Sequence, residues 1–203
     1  MADPQTKKTV LIIGGGAVGA IAALNLEVGG LAEVTLVLRS NFDAVKADGF
    51  DITSCDHEHV QGWRPSIVRS TIPNLTTENL PPYDYLLLCT KSTPDIPPPL
   101  STLISPALPT SNTHTALILL QNGLNIHRPF VTSHPTTPLL SAISMIGSEE
   151  IRPGVVIHAD PDRLLLGAFT HPDSAIYNTA TVAAEDFVTR TRSVEEVSVQ
   201  RGA

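Results

Sequence analysis

The sequence predicts an α/β fold with a doubly wound, mainly parallel sheet and flanking helices. Three observations predict it: short apolar runs recur along the chain, helical periodicity follows the first of them, and a glycine cluster stands at their junction. The composition agrees, because 42% of the 203 residues are hydrophobic and 16% are charged. Such a chain can bury a sizeable core, and it is not wholly disordered.

The first elements form a βαβ unit. Residues 9–13 and 34–38 are apolar runs that predict buried parallel strands. Between them, residues 17–28 carry apolar side chains on one helical face, and Gly29-Gly30 ends that helix. The unit therefore has about the ~30 residues expected of a strand, a crossover helix and a second strand.

The remaining elements are predicted from shorter patterns. A short helix follows Asn41, which can cap it, and only a short helix fits the Pro-rich stretch 92–109. Helical spacing resumes at Ser174 and fades after Phe187 into a polar tail. Further strands are predicted at 83–90, 116–120 and 139–146. One hairpin is predicted within residues 50–71, with Gly62 and Pro65 between its two short runs. A second hairpin is predicted to pair residues 155–158 with residues 164–166 around the turn signal Asp160-Pro161-Asp162.

Charge and cysteine usage exclude several functions. The net charge is −7, and no segment concentrates Lys and Arg, which argues against nucleic-acid or anionic-membrane partners. Cys55 and Cys89 stand in different contexts and do not indicate a disulfide framework. The uncharged run over residues 9–26 is interrupted by three glycines, which argues against a signal peptide or a membrane span. We therefore predict a cytoplasmic location.

A glycine motif indicates a dinucleotide site. It matches G-x-G-x-x-G between the first strand and the first helix, where such a motif binds a pyrophosphate. Gly14 would allow the tight turn, Gly16 would let the backbone approach the ligand, and Gly19 would let helix and strand pack closely. The alternative is a glycine-rich turn without a ligand. The predicted cofactor-binding residues here are Gly14, Gly15, Gly16, Ala17, Val18 and Gly19.

The residue after the second strand favours NADP over NAD. NAD sites usually carry an acidic residue there for the ribose 2′-hydroxyl, whereas this chain has Arg39. A guanidinium can bind a 2′-phosphate through two hydrogen bonds, so we predict NADP as the cofactor. The alternative is an ordinary surface arginine at a strand end.

Two more polar motifs follow predicted strands, at the edge where open parallel sheets bind ligands. Lys91 could reach the phosphates of the cofactor, or it could simply extend into solvent. Asn122 could contact a ribose hydroxyl or a substrate carbonyl, or it could be the turn residue before Gly123. Because the two motifs end successive strands, we favour the binding roles.

Other chemistries have less support. Cys55, Asp56, His57 and His59 include metal-binding residue types, but no second cluster completes a site, and we predict a solvated hairpin loop without metal. His158 is predicted to be a partly buried histidine with its hydrogen bonds satisfied. The sequence has neither a G-x-S-x-G elbow nor a Walker A lysine, so acyl transfer and ATP hydrolysis are not indicated.

Five segments in order resemble the ketopantoate reductase (2-dehydropantoate 2-reductase) family over about residues 8–170: IIGGGAVGA, LVLRS, YDYLLLCTKS, LILLQNGLN and RPGVVIHADPDRLLLGAF. The resemblance implies a Rossmann-type fold and NADPH-dependent reduction of ketopantoate to pantoate, a step of pantothenate biosynthesis. It implies that residues 14–19 hold the pyrophosphate and that Arg39 and Lys91 hold the adenosine 2′-phosphate. It further implies that Asn122 contacts the nicotinamide ribose and the substrate, and that the Ser148 backbone lines the cofactor.

The resemblance also implies a missing part. Residues 8–170 correspond to the NADP-binding domain and residues 171–203 to a connecting helix and polar tail, while the family's C-terminal helical domain is absent. That domain supplies a catalytic lysine, whereas the lysines here are Lys7, Lys8, Lys46 and Lys91. We therefore assign no catalytic residue to this chain beyond the Asn122 contact, and we expect it to be inactive alone.

Three functions stay open at this point. The first is a reductase of a small 2-keto acid, present here as its cofactor domain. The second is a non-catalytic NADP-binding module, and the third is the cofactor domain of another 2-keto or hydroxy-acid dehydrogenase. The face left by the missing domain would expose apolar surface, so self-association through it is possible.

Overall fold

A computed structural model describes residues 6–93, 95–109, 114–190 and 198–199. The main sheet has eight strands in the order β12-β11-β8-β7-β6-β1-β2-β5, and every neighbouring pair is parallel except β8 and β11. Its strands are β1 (Lys8–Ile13), β2 (Ala32–Val37), β5 (Ile67–Arg69), β6 (Tyr85–Leu88), β7 (Ala116–Leu119), β8 (Leu139–Ser144), β11 (Leu164–Ala168) and β12 (Ser198–Val199).

A second, smaller sheet has four strands in the order β4-β3-β10-β9. Its strands are β3 (Phe50–Ser54), β4 (Glu58–Trp63), β9 (Gly147–Arg152) and β10 (Val155–Asp160). The central pair, β3 and β10, is parallel, and each outer strand is antiparallel to its neighbour. The helices are α1 (Ala17–Val28), α2 (Phe42–Asp48), α3 (Leu100–Leu103), α4 (Arg128–Ser133) and α5 (Ser174–Arg190), with a 3-10 turn at Ser105–Ala107.

Strands β6 and β7, and β1 from Val10 to Ile13, are apolar throughout because both faces of the main sheet are covered. In β1, Val10 and Ile12 point into a core that contains α1, α5 and the second sheet, whereas Leu11 and Ile13 point into a separate core on the opposite face. The second core includes Ile104 and Phe130 from the helical segments that follow β6 and β7. This layering is the Rossmann-type architecture that the sequence predicts, and the prediction is confirmed.

A network of polar side chains attaches helix α5 to the first core. The Tyr85 hydroxyl donates to Asp186 Oδ2 at 2.5 Å, and Arg190 donates to both oxygens of the same carboxylate. Arg190 is only 5% exposed and also donates to the Thr6 carbonyl at 3.1 Å. Burial, together with the Asp186 carboxylate, raises the pKa of the Tyr85 hydroxyl. The network therefore fixes α5 against β6 with Tyr85 in its neutral, donating form.

Several element predictions are confirmed. Helix α1 occupies residues 17–28, the short helix after Asn41 ends at Asp48, and the Pro-rich stretch holds only the short α3. The strands predicted at 116–120 and 139–146 correspond to β7 and β8, and the helix predicted from Ser174 is α5.

Both hairpin predictions need correction. The predicted hairpin of 155–158 with 164–166 does not form, because β10 pairs with β3 and β9 while β11 pairs with β8. Asp160-Pro161-Asp162 instead carries the chain from one sheet to the other. In the segment 50–71 the strands do reverse, but at residues 55–57 rather than around Gly62 and Pro65, and β5 joins the main sheet.

Asp84 joins the amino ends of β1 and β6. Its Oδ1 accepts from Lys8 Nζ at 2.9 Å, and its Oδ2 accepts from the Thr9 N–H at 2.9 Å and the Thr9 hydroxyl at 3.1 Å. Partial burial alone would raise the pKa of Asp84, but the hydrogen bonds from Thr9 and the Lys8 ammonium outweigh it and hold the pKa below its usual range. The carboxylate therefore stabilises the folded chain only while it is ionised.

We expect Asp84→Asn to lower the free energy of unfolding at pH 7 by about 1–3 kcal/mol, since charge-assisted hydrogen bonds are lost. Because the folded pKa lies below the unfolded value of about 3.9, the contribution is present above that pH and disappears as the pH falls through the folded pKa. Urea unfolding at pH 7 and at pH 3 measures both effects. Asp48→Asn, at an exposed position, is the control. An equal loss at both pH values would contradict the ionic role.

Candidate functional site

The glycine motif forms the loop between β1 and α1, and the fold itself demands two of its glycines. Gly14 has φ +102°, and a Cβ there would lie 2.8 Å from the Thr90 nitrogen. A Cβ on Gly19 would lie 1.9 Å from the Gly14 carbonyl oxygen. Contacts within the protein therefore explain both the tight turn at Gly14 and the close packing at Gly19.

Gly16 differs from both. Its φ is −69°, which any residue adopts, and a Cβ there would have no atom of the other described residues within 4 Å. Gly16 is exposed at the N-cap of α1, where no side chain makes a capping hydrogen bond and the first turn holds no acidic residue. No contact among the described residues therefore requires glycine here, and the uncapped N–H groups of the helix are open to an anion. Ala17 and Val18, in the first turn, are partly exposed beside it.

The side chain of Asn41 connects the glycine loop to the second sheet. Its buried Nδ2 group donates to the Gly15 carbonyl at 2.7 Å and to Glu150 Oε1 at 2.7 Å. Glu150 Oε1 also accepts from the Gly154 N–H at 2.9 Å. The sequence predicts Asn41 as a helix cap; it occupies that position, but its side chain makes no capping bond. Its amide instead joins the loop to the second sheet.

Arg39 and Lys91 are both exposed just beyond the carboxyl ends of their strands, β2 and β6. Within the described residues neither side chain has a hydrogen bond or an ion pair. Two cations that have no partner in the described part of the chain thus lie on either side of the loop, because β2 and β6 flank β1 in the sheet. Such an arrangement suits an anionic ligand above the loop.

Asn122 is exposed after β7, the next strand along the same edge. Its neighbour Gln121 is buried and donates from Nε2 to the Thr90 carbonyl at 2.7 Å and to the Thr90 hydroxyl at 2.9 Å. Gln121 therefore ties the end of β7 to the end of β6, and the backbone there positions Asn122. The strand order places Arg39, the loop, Lys91 and Asn122 in succession along one edge.

Ser148 and His158 lie opposite each other on neighbouring strands of the second sheet, β9 and β10. The Ser148 hydroxyl is buried and, among the described atoms, has no hydrogen-bond partner. The prediction of a satisfied His158 is wrong for one ring nitrogen: Nδ1 pairs with the Ser54 hydroxyl at 2.8 Å, but Nε2 is buried and has no hydrogen bond to any described residue. The prediction of a solvated loop at residues 55–59 is also only partly right, since the Asp56 side chain is 9% exposed.

Neither thiol is primed as a nucleophile. Burial raises the pKa of the Cys89 thiol to about 12. Burial and the neighbouring Asp56 carboxylate also raise the pKa of the Cys55 thiol. Both groups are therefore protonated at neutral pH, and covalent catalysis by a thiolate is not supported.

Over the described residues, no helix has the length and apolar character needed to cross a bilayer.

Comparison with known proteins identifies the family. A family model described as ketopantoate reductase PanE/ApbA matches residues 10–171. The chain belongs to this family. The family resemblance predicted from the five segments is confirmed, and ketopantoate reductases recur among the structures with the same fold.

An uncharacterized protein of Saccharomyces cerevisiae is 34% identical over 194 residues, which cover 88% of this chain and 53% of the yeast protein. The crystal structure of 2-dehydropantoate 2-reductase from Methylococcus capsulatus aligns with a TM-score of 0.69 at 26% identity, over 90% of this chain and 54% of that one. D-mandelate dehydrogenase, solved with NADH and anilino(oxo)acetate, shares the fold with a TM-score of 0.71 at 18% identity, over 95% and 56% of the two chains. This ketopantoate reductase-family chain thus spans about half the length of these relatives.

Proposed function

We propose that the chain is the NADP-binding part of an oxidoreductase that reduces a small 2-keto acid, with ketopantoate as the first substrate to test. The observation that carries the proposal is Gly16, a glycine that no contact within the protein requires, at the open N-terminus of α1. Membership of the ketopantoate reductase family supports the reaction class. In this proposal residues 8–170 form the cofactor domain, and residues 171–203 lead toward a catalytic domain.

Each site residue has a separate task in this proposal. The N–H groups at the start of α1 bind the pyrophosphate, and Arg39 and Lys91 bind the adenosine 2′-phosphate from the two sides of the loop. The Asn122 amide contacts the nicotinamide ribose and the carbonyl of the substrate, and the Ser148 backbone lines the cofactor. The bound dinucleotide supplies the hydride, while the protein residues orient it and fix its selectivity.

Reduction of a ketone also needs a proton donor, and we propose that these 203 residues do not supply one. Lys8 is paired with Asp84, and Lys46 lies over the Phe42 ring, 5.4 Å from its centroid. Lys7 lies next to β1 at its amino end, away from the binding edge, and Lys91 is assigned to phosphate. We therefore expect cofactor binding with little or no turnover, because a general acid is missing.

Separate titrations of the chain with NADPH and NADH test the proposal, followed by an assay of ketopantoate and other 2-keto acids. We expect NADPH to bind more tightly than NADH and turnover to be absent. If neither nucleotide binds at millimolar concentration, the cofactor assignment is wrong. Ready turnover would overturn the argument about the proton donor.

Arg39→Asp is expected to weaken NADPH binding by about 10–100-fold, because hydrogen bonds to a charged group contribute about 1.5–3 kcal/mol. The affinity for NADH should change much less, since NADH has no 2′-phosphate. Isothermal titration with each cofactor measures the difference. Arg152→Asp, an equal change of charge at an exposed position on the second sheet, is the control. An equal loss for both cofactors would contradict the role of Arg39.

Two sequence predictions about the cellular form remain predictions: the cytoplasmic location and self-association. Leu124, Ile143 and Met145 are more than half exposed, at 92%, 57% and 52%. They lie at or beyond the carboxyl ends of neighbouring strands β7 and β8. This apolar surface supports the proposal that the edge is covered in a longer assembly or by a second copy of the chain.

A further inference from the structure

The peptide group between Gly15 and Gly16 is fixed by a side chain from outside the loop. Gly15 is buried, so its carbonyl oxygen needs a hydrogen-bond donor within the protein. The Asn41 amide is such a donor, with its Nδ2 atom 2.7 Å from that oxygen. Asn41 is itself only 4% exposed, which restricts its side chain to this position. The Gly15 carbonyl is therefore directed towards Asn41.

The direction of this carbonyl also determines the direction of the next N–H group. The Gly15–Gly16 bond is trans, and in a planar trans peptide the C=O and N–H bonds point in opposite directions. The Gly16 N–H is therefore turned away from Asn41, and it donates no hydrogen bond to any described residue. Because Gly16 is exposed at the N-cap of α1, this N–H is a free donor with a fixed direction at the start of the helix.

Glu150 determines which end of the Asn41 amide faces the loop. Its Oε1 atom accepts from Asn41 Nδ2 at 2.7 Å and from the Gly154 N–H at 2.9 Å. Both partners of Asn41 Nδ2 are thus acceptors, and only an NH₂ group can donate to the two of them. A reversed amide would place its oxygen against a carbonyl and a carboxylate. Glu150 therefore keeps a donor directed at the Gly15 carbonyl.

We propose that Asn41 is a positioning residue for the dinucleotide, which presents the Gly16 N–H to an oxygen of the pyrophosphate, and that Glu150 supports it in this role. The inference rests on the proposed function, because the proposed function supplies the ligand. Neither side chain contacts the ligand in this role. Both act by orienting a backbone donor before the ligand arrives, so that binding needs no rearrangement of the peptide.

The role of Asn41 differs from that of Arg39 in its selectivity. Arg39 is assigned to the 2′-phosphate, which only NADPH carries, whereas both NADPH and NADH contain the pyrophosphate. A substitution that lets the Gly15–Gly16 peptide turn should therefore weaken the two nucleotides by the same factor. This equal loss distinguishes a group that orients the loop from one that recognises the adenosine half.

Two variants test whether Asn41 acts through the Gly15 carbonyl or only by attaching the loop to the second sheet. Asn41→Asp keeps the size of the side chain but removes its donor, and we expect NADPH and NADH to bind about 10–100-fold more weakly. In Asn41→Asp/Glu150→Gln, the amide introduced at position 150 can donate to the carboxylate introduced at position 41. We expect this double variant to regain most of the melting temperature that Asn41→Asp loses, but not the affinity, because the Gly15 carbonyl still lacks its donor.

A matched control makes the same two chemical changes elsewhere. Asn178→Asp/Glu149→Gln alters an exposed residue of α5 and an exposed residue of β9, and it should keep both the affinity for NADPH and the melting temperature. Isothermal titration and thermal unfolding of each preparation measure the two quantities. Recovery of NADPH affinity in Asn41→Asp/Glu150→Gln would overturn the proposal, since attachment to the second sheet would then explain the whole effect.

The direction of the peptide can be measured without any nucleotide. We expect the residual dipolar coupling of the Gly16 N–H to change between the ¹⁵N-labelled original chain and Asn41→Asp/Glu150→Gln, while the couplings of residues 20–26 in α1 stay the same. An unchanged Gly16 coupling would overturn the inference about Asn41 alone. A changed coupling in a chain that binds neither nucleotide would support the control of Gly16 by Asn41 and would contradict the proposed function.

Discussion

Gly16→Val is expected to weaken NADPH binding at least about ten-fold, which corresponds to about 1.4 kcal/mol, while the melting temperature stays nearly unchanged. A Cβ at Gly16 would have no atom of the other described residues within 4 Å, so the fold leaves space for a side chain to begin there. The same side chain would occupy the space that the pyrophosphate needs at the N-terminus of α1. The substitution therefore distinguishes the effect of position 16 on NADPH binding from its effect on the stability of the fold.

Isothermal titration with NADPH and thermal unfolding of the same preparation measure the two effects. Gly30→Ala is a useful comparison, because Gly30 also has open space around it but lies at the far end of α1 and has φ +71°. That variant should lose some stability from backbone strain and keep its affinity for NADPH. If Gly16→Val binds NADPH as the unaltered chain does, the proposed pyrophosphate position is wrong.

Gly19→Ala is expected to have the opposite signature. The new Cβ would lie 1.9 Å from the Gly14 carbonyl oxygen and 3.0 Å from the Gly14 carbonyl carbon, both backbone atoms. The loop or α1 must shift to remove the overlap, and overpacking of this kind costs about 1–3 kcal/mol or more. We therefore expect a clear fall in the free energy of unfolding even without any cofactor.

Urea unfolding in the absence of nucleotide measures the loss for Gly19→Ala. Gly16→Ala adds the same methyl group three residues earlier, where no clash arises, and it should unfold at the same urea concentration as the original chain. Equal midpoints for the two variants would show that the Gly14–Gly19 contact does not limit the packing of β1 and α1.

Much of the main sheet could be predicted from local patterns. Strands β6 and β7 and the Val10–Ile13 part of β1 are buried on both faces, so each appears in the sequence as an uninterrupted apolar run. Helix α1 has its stop signal in Gly29-Gly30 and its start at the glycine loop, which fixed both ends. These elements are encoded by residues that lie next to one another in the chain.

The second sheet could not be predicted in the same way. Its central contact pairs residues 155–158 with residues 51–54, and no turn motif connects two parallel strands separated by about a hundred residues. Asp160-Pro161-Asp162 is a local turn signal, and local reasoning joined the strands on either side of it. The pairing of β11 with β8 depends on burial of one face of β11 in the main sheet. A short stretch of sequence around β11 does not include the residues that cover that face.

The candidate site shows the same division. The glycine loop and the strand-end residues Arg39, Lys91 and Asn122 could be located because each directly follows an apolar strand. The Asn41 amide and the buried Gln121 were missed as positioning groups, since their partners, Gly15 and Glu150 for one and Thr90 for the other, lie 26 to 109 positions away. Their only local signal was a preference for caps and turns.

The Asn41 amide also has a thermodynamic consequence. One NH₂ group donates to both the Gly15 carbonyl in the glycine loop and the Glu150 carboxylate in the second sheet. If a ligand orders the loop, it also favours the arrangement in which Glu150 is held, and the coupling free energy must act equally in the reverse direction. Under that condition, occupancy of the loop and the integrity of the second sheet would be linked equilibria, each shifting the other.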